Sequence, residues 1–237
     1  MNVRHLRASV LIGLVVSSFA TESLCLQQRH DVITLTEQPQ ERVTPQRARQ
    51  RLKEGNERFV QDKLSSRDLR AQRQRTQQSQ KPFAAILTCQ DSRTPPELIF
   101  DLDLGDAFSI RIAGNIVNDD ILGGLEFAAS SGVTLIVVLG HTDCGAIKGA
   151  IDGGQTGHMA ALLSKIRPAV ATVSAGPPRR TLDSNDLKAV GEVTRQNVLL
   201  ALREIREKSP LIKSLLLNRT LDLVGGSYEL KDRKSVV

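Results

Sequence analysis

The chain has 237 residues, 40% of them hydrophobic, enough to bury a full single-domain core, so global disorder is not expected. Aromatic residues are only 3% and tryptophan is absent, which makes the core aliphatic and argues against a stacking platform for single-stranded nucleic acid. The net charge of +6 would suit an anionic partner and the three cysteines are too few for a disulfide scaffold, but the basic residues crowd between Arg42 and Arg75, where a solvated helix face is the expected reading.

Arg4, His5 and Arg7 precede the apolar run 8–20, which ends on Ser18-Phe19-Ala20. A basic start, a short apolar stretch and a small-x-small end describe a secretory signal peptide over residues 1–20, followed by a polar linker over 21–43. The product is expected to be secreted or periplasmic, with no transmembrane span in the mature chain, because the apolar run is too short for one. Glu22-Ser23-Leu24 lacks the small residue a lipidation site places just ahead of its cysteine, so cleavage is favoured over a lipid anchor at Cys25.

From residue 44 one folded domain is expected to run to 237. Ala48, Leu52 and Phe59 recur at helical spacing, and Pro45 suits a first turn, so 44–63 reads as an amino-terminal helical arm. The Gln- and Arg-rich stretch 65–80 reads as helical or extended and solvated. Three short apolar runs follow as strands: 83–87, 107–112 and 134–139, the last rich in β-branched residues and bounded by glycines. Strands apolar throughout are buried on both faces. Residues 119–131 read as a helix between two of them, giving a βαβ unit. Helices are expected at 158–173, 185–208 and 210–217, and a last strand at 221–230. The fold class is α/β: a mostly parallel central sheet flanked by helices, with the amino-terminal arm outside it.

Cys89 and His141 each fall just past the carboxyl end of a predicted strand, the edge where open α/β sheets bind ligands. His141-Thr142-Asp143-Cys144 adds a second sulfur one tight turn later. Singly, each of the three is ordinary core material. Together they supply three zinc ligands, and no fourth cysteine or histidine lies at close spacing, so the set suits one catalytic Zn2+ per chain. Asp91 and Arg93 follow at alternate positions and form either a loop salt bridge or a bidentate pair that orients a hydroxide beside the metal. The glycines of 145–157 match neither the P-loop nor the dinucleotide fingerprint. Gly145 and Ala146 open a helix whose N–H groups suit an anion such as bicarbonate.

Cys89-Gln90-Asp91-Ser92-Arg93 and His141-Thr142-Asp143-Cys144-Gly145 resemble the β-class carbonic anhydrases, and the likeness extends through Arg111-Ile112-Ala113-Gly114-Asn115 and the segment 225–230. The resemblance implies reversible hydration of carbon dioxide to bicarbonate and a proton by attack of zinc-bound hydroxide. It implies Cys89, His141 and Cys144 as zinc ligands, Asp91 and Arg93 as the catalytic dyad, and Gln80 as a substrate-binding residue reaching across a subunit interface. A homodimer or tetramer is then expected, with no nucleic-acid partner. Carbon disulfide hydrolysis at the same centre, and a non-catalytic zinc- or bicarbonate-binding module, are the competing readings.

Overall fold

The computed structural model describes residues 43–236. The signal-peptide reading of 1–20, Cys25 and the linker up to residue 42 lie outside the described residues. The charged arm comes first. Helix α1 (Pro45–Val60) starts where Thr44 Oγ1 accepts the Arg47 amide at 3.2 Å and Pro45 takes the first helical position. It buries Ala48 and Leu52. Helix α2 (Leu69–Thr76) occupies the middle of the Gln-rich stretch, capped by Asp68.

Lys53, Lys63, Arg70, Arg73 and Arg75 of this arm are exposed, in keeping with a solvated basic face, but four other arginines find acids. Arg51 pairs with Asp106, Arg58 and Arg67 both reach Asp101, and Arg49 meets Asp222. These four pairs are not legible in the sequence, because the acids lie far along the chain from their arginines.

The sheet has the order β2–β1–β3–β4–β5. Strands β1 (Ala84–Thr88), β2 (Ala107–Arg111), β3 (Leu135–His141) and β4 (Asp222–Tyr228) are parallel, and the short β5 (Ser235–Val236) closes one edge antiparallel to β4. Every residue of β1 and β3 is buried, as the continuous apolar runs require. Side chains alternate across the pleat. Ala84, Ile86, Leu135, Val137 and Leu139 meet Ala48 and Leu52 of α1 on one face. Ala85, Leu87, Ile136 and Val138 meet the helices of the other. A fully buried aliphatic side chain contributes about 1.5–3 kcal/mol, so two filled faces suffice without aromatic bulk.

On that second face lie α4 (Asp119–Ser130), capped by Asn118, and α8 (Leu187–Lys208), capped by Asp186. A single turn, α3 (Pro96–Ile99), links β1 to β2. After β3 come α5 (Gly145–Asp152), α6 (Gly157–Ser164) and α7 (Arg167–Ala175), and after α8 comes α9 (Pro210–Leu217). The helix expected over 158–173 is thus two. Pro168 sits in the first turn of α7, where its missing N–H costs nothing, and the chain turns at Lys165–Ile166 instead of continuing. No described helix is long and apolar enough to cross a membrane.

Candidate metal centre

Two parallel strands deliver the site. Thr88 of β1 pairs with Leu139 of β3, so Cys89 leaves the sheet beside Gly140 and His141. Cys144 then precedes α5, the thiol sitting at the positive end of that helix. The two sulfurs are 3.9 Å apart, and with the His141 ring they form a group whose donor atoms all lie within 4.8 Å of one another. Cys89, His141 and Cys144 are all buried. Sulfurs on one tetrahedral zinc, each about 2.3 Å from it, would stand about 3.8 Å apart, close to the spacing here.

The chemistry of the donors fits the same occupant. His141 Nδ1 lies 2.9 Å from the Thr142 carbonyl, which makes it the protonated nitrogen and leaves Nε2 as a lone pair. That Nε2 is buried without a hydrogen-bond partner among the described residues, an arrangement that costs free energy unless a metal takes it. The two sulfurs are within reach of a hydrogen bond to one another. The Cys144 thiol donates to Cys89 and holds it well below the ordinary thiol range, with further help from the amides of Gly114 and Asp91. Cys144 is driven up by that same hydrogen bond and by burial. A divalent cation held by Cys89, His141 and Cys144 would supply a positive charge that suits both sulfurs as thiolates.

Asp91 and Arg93 form the bidentate pair. Arg93 Nε donates to Asp91 Oδ1 at 2.9 Å and Nη2 to Oδ2 at 2.8 Å, while the Arg93 amide adds a third bond at 2.9 Å. The Arg93 bonds hold the Asp91 carboxyl down to about 2 against the pull of partial burial. Asp91 Oδ2 lies 3.9 Å from His141 Nε2, so the carboxylate borders the donors, and both its oxygens are engaged by Arg93. Arg93 also reaches the Asp143 carbonyl at 3.4 Å and its carboxylate at 3.7 Å, and Lys148 pairs with that carboxylate from α5. The two loops carrying the ligands are tied together by one arginine.

Gly145 opens α5 as expected. Gln80 is exposed on the segment between α2 and β1, beside Gly105 just ahead of β2, whereas the donors lie past the other end of the strands. Arg111, read from the sequence only as part of a resemblance, has a job here. Its Nε donates to Cys89 O at 3.1 Å and its Nη2 to Asp91 O at 2.5 Å, fixing the backbone on both sides of Gln90. The signal that finds it is register: Arg111 ends β2 opposite Thr88, the residue before Cys89.

A family model described as carbonic anhydrase matches residues 84–235. Carbonic anhydrase 2 of Mycobacterium tuberculosis is 36% identical over 201 residues, which span 82% of this chain and 93% of that protein. A carbonic anhydrase of Mycolicibacterium smegmatis is 34% identical, with 76% and 87% covered. Among solved structures, a β-carbonic anhydrase superposes with a TM-score of 0.64 at 26% identity, over 79% of this chain and 93% of that one. A tetrameric β-carbonic anhydrase from Sordaria macrospora has the same fold, at TM-score 0.63 and 23% identity over 69% and 83% of the two chains.

Proposed function

The chain belongs to the β-class carbonic anhydrases, and from that premise we propose that it hydrates carbon dioxide reversibly to bicarbonate and a proton at one zinc ion held by Cys89, His141 and Cys144. The observation that carries this reading is the buried group of two sulfurs and one imidazole within 4.8 Å, bordered by a carboxylate already paired to an arginine.

Zinc, when bound, supplies the Lewis acidity that makes hydroxide available near neutral pH. The chain supplies the rest. Asp91, held ionised by Arg93, is an acceptor that orients the attacking O–H toward carbon dioxide. Arg93 keeps both Asp91 oxygens in place, and Asp143 and Lys148 keep Arg93 in place. The Gly145 amide, at the start of α5, is the proposed donor to an oxygen of bicarbonate.

The test is zinc content and stopped-flow carbon dioxide hydration of the purified protein, with Cys89→Ser as control. Loss of both zinc and turnover in the variant is expected. A wild-type chain that binds zinc yet turns over carbon disulfide faster than carbon dioxide would replace this reading with the hydrolase one, and zinc without either turnover would leave a binding module.

The working unit proposed is a homodimer or tetramer in which Gln80 serves the partner's site. Support comes from β2, an edge strand flanked by a groove of about 440 Å³ where Leu69, Leu98 and Leu104 are exposed. Sedimentation should give a species of at least two chains, and Leu104→Lys should shift it toward one. Export is proposed from the pattern of residues 1–20, and the amino-terminal sequence of material recovered outside the cytoplasm checks it.

A further inference from the structure

Helix α8 packs an aliphatic face of Val190, Val193, Val198, Ala201 and Ile205 into the molecule, yet Asn197 stands in that face at 4% exposure. An amide buried among aliphatic side chains destabilises the fold unless its hydrogen bonds are made. Asn197 Nδ2 makes one, to the carbonyl of Gly114 at 2.8 Å. Gly114 lies in the 3-10 turn Ala113–Asn115, just beyond β2. Its φ is +66°, and a Cβ there would stand 2.6 Å from Ile166 Cδ1 and 3.3 Å from the Ala146 side chain, so only glycine fits. The Gly114 amide points the other way, to Cys89 Sγ at 3.3 Å.

These two bonds bracket the Gly114 Cα. One fixes the peptide after it and the other is the payload of the peptide before it. The remaining turn bonds, Ile112 N to Thr88 O and Asn115 N to Ile112 O, hold the flanks but not Gly114 itself. Without a Cβ, Gly114 has the fewest steric restraints of the turn, so the bond that grips its carbonyl helps to fix the aim of its N–H.

We infer that Asn197 is a positioning residue for the metal centre: through Gly114 it aims an N–H at the Cys89 sulfur and so sets how strongly that thiolate donates to a bound metal. A charge-assisted N–H bond withdraws electron density from the thiolate, and outer partners of this kind fix ligand geometry and affinity. The inference rests on Cys89 being a metal ligand.

The test uses the cobalt-substituted full-length protein. Asn197→Leu removes the donor at similar volume, and Asn197→Asp sets a carboxylate against the Gly114 carbonyl. In both, the sulfur-to-cobalt charge-transfer band is expected to move to longer wavelength than in wild type, and zinc release to a chelator to quicken about 10-fold. Ile205→Val, buried two turns further along α8, loosens the same helix without touching Gly114 and should leave both readings at the wild-type value. Folded Asn197 variants that match Ile205→Val in band position and release rate would overturn the inference. A wild-type chain with no such band would instead sink the metal-ligand reading on which it rests. Should neither Asn197 variant fold, the wild-type protein loaded with cadmium-113 decides: coupling from the Gly114 amide proton to the metal through the hydrogen bond is required, and its absence overturns the assignment.

Discussion

At Asp91 a single oxygen decides the chemistry. Replacement by asparagine keeps the shape and the Oδ1 that accepts the Arg93 amide, but puts an NH2 where Arg93 and the reacting O–H both need an acceptor. Asp91→Asn is therefore expected to keep its zinc, since none of the three donors is touched, and to lose roughly 10²-fold in kcat/KM. Metal analysis with stopped-flow hydration measures both, and a fully active Asp91→Asn would remove Asp91 from the mechanism. The residues that carry this chemistry are legible in the sequence because each sits at or just past a strand end, in two short motifs. Arg111, Asp143, Lys148 and Asn197 are not. Their roles come from register, from a turn, or from a helix that reaches the site only after folding, and nothing in their own neighbourhoods marks them.

At the scale of elements, the contact between β3 and α8 governs how well the site is held from behind. Gly140, one residue before His141, faces α8 so closely that a Cβ would lie 2.8 Å from Thr194 Cγ2 and 3.0 Å from Val198 Cγ2. Gly140→Ala must push α8 outward or shift the strand end that bears His141. Overpacking of this kind costs about 1–3 kcal/mol, and the strand-end shift should also weaken zinc binding. Urea denaturation and competitive zinc titration check the two effects, and an unchanged midpoint would mean that α8 yields freely. The other end of this junction is fixed by Thr142, whose hydroxyl donates to Glu229 Oε1 at 2.9 Å and accepts the Leu230 amide at 3.1 Å. Since the Thr142 carbonyl orients the His141 ring, Thr142→Val should lower zinc affinity about 10-fold while leaving Cys89 and Cys144 in place; calorimetric zinc titration reads it, and wild-type affinity would count against the role. A parallel sheet covered on both faces was legible, because continuous apolar runs demand one, but its strand order was not. The break between α6 and α7 was not, because Pro168 lies inside a run whose helical spacing continues across it, and only tertiary packing makes the turn at Ile166 worthwhile.

Across the whole molecule, one buried acid gathers several of the bonds that join the amino-terminal arm to the body. The Asp101 side chain is fully buried and receives Arg58 Nε at 2.5 Å, the Ser65 hydroxyl at 2.8 Å, the Ser65 amide at 3.1 Å and the Arg67 guanidinium. Burial alone would raise its pKa, but the bonds from Arg58 and Ser65 and the charge of Arg67 bring it below the ordinary aspartate value. A carboxyl depressed on folding binds fewer protons folded than unfolded, so its contribution is complete above the unfolded pKa of about 4 and is lost as pH falls through the lower folded value. Asp101→Asn, which keeps one acceptor oxygen but no charge, should cost about 2 kcal/mol at neutral pH. The difference between wild type and variant should hold steady above about pH 5 and shrink steadily below about pH 4. Denaturation midpoints across that range measure the gap. If it stays constant into strong acid, the arm is held by packing of Ala48 and Leu52 against the sheet, and the arginines that crowd the segment contribute nothing through Asp101.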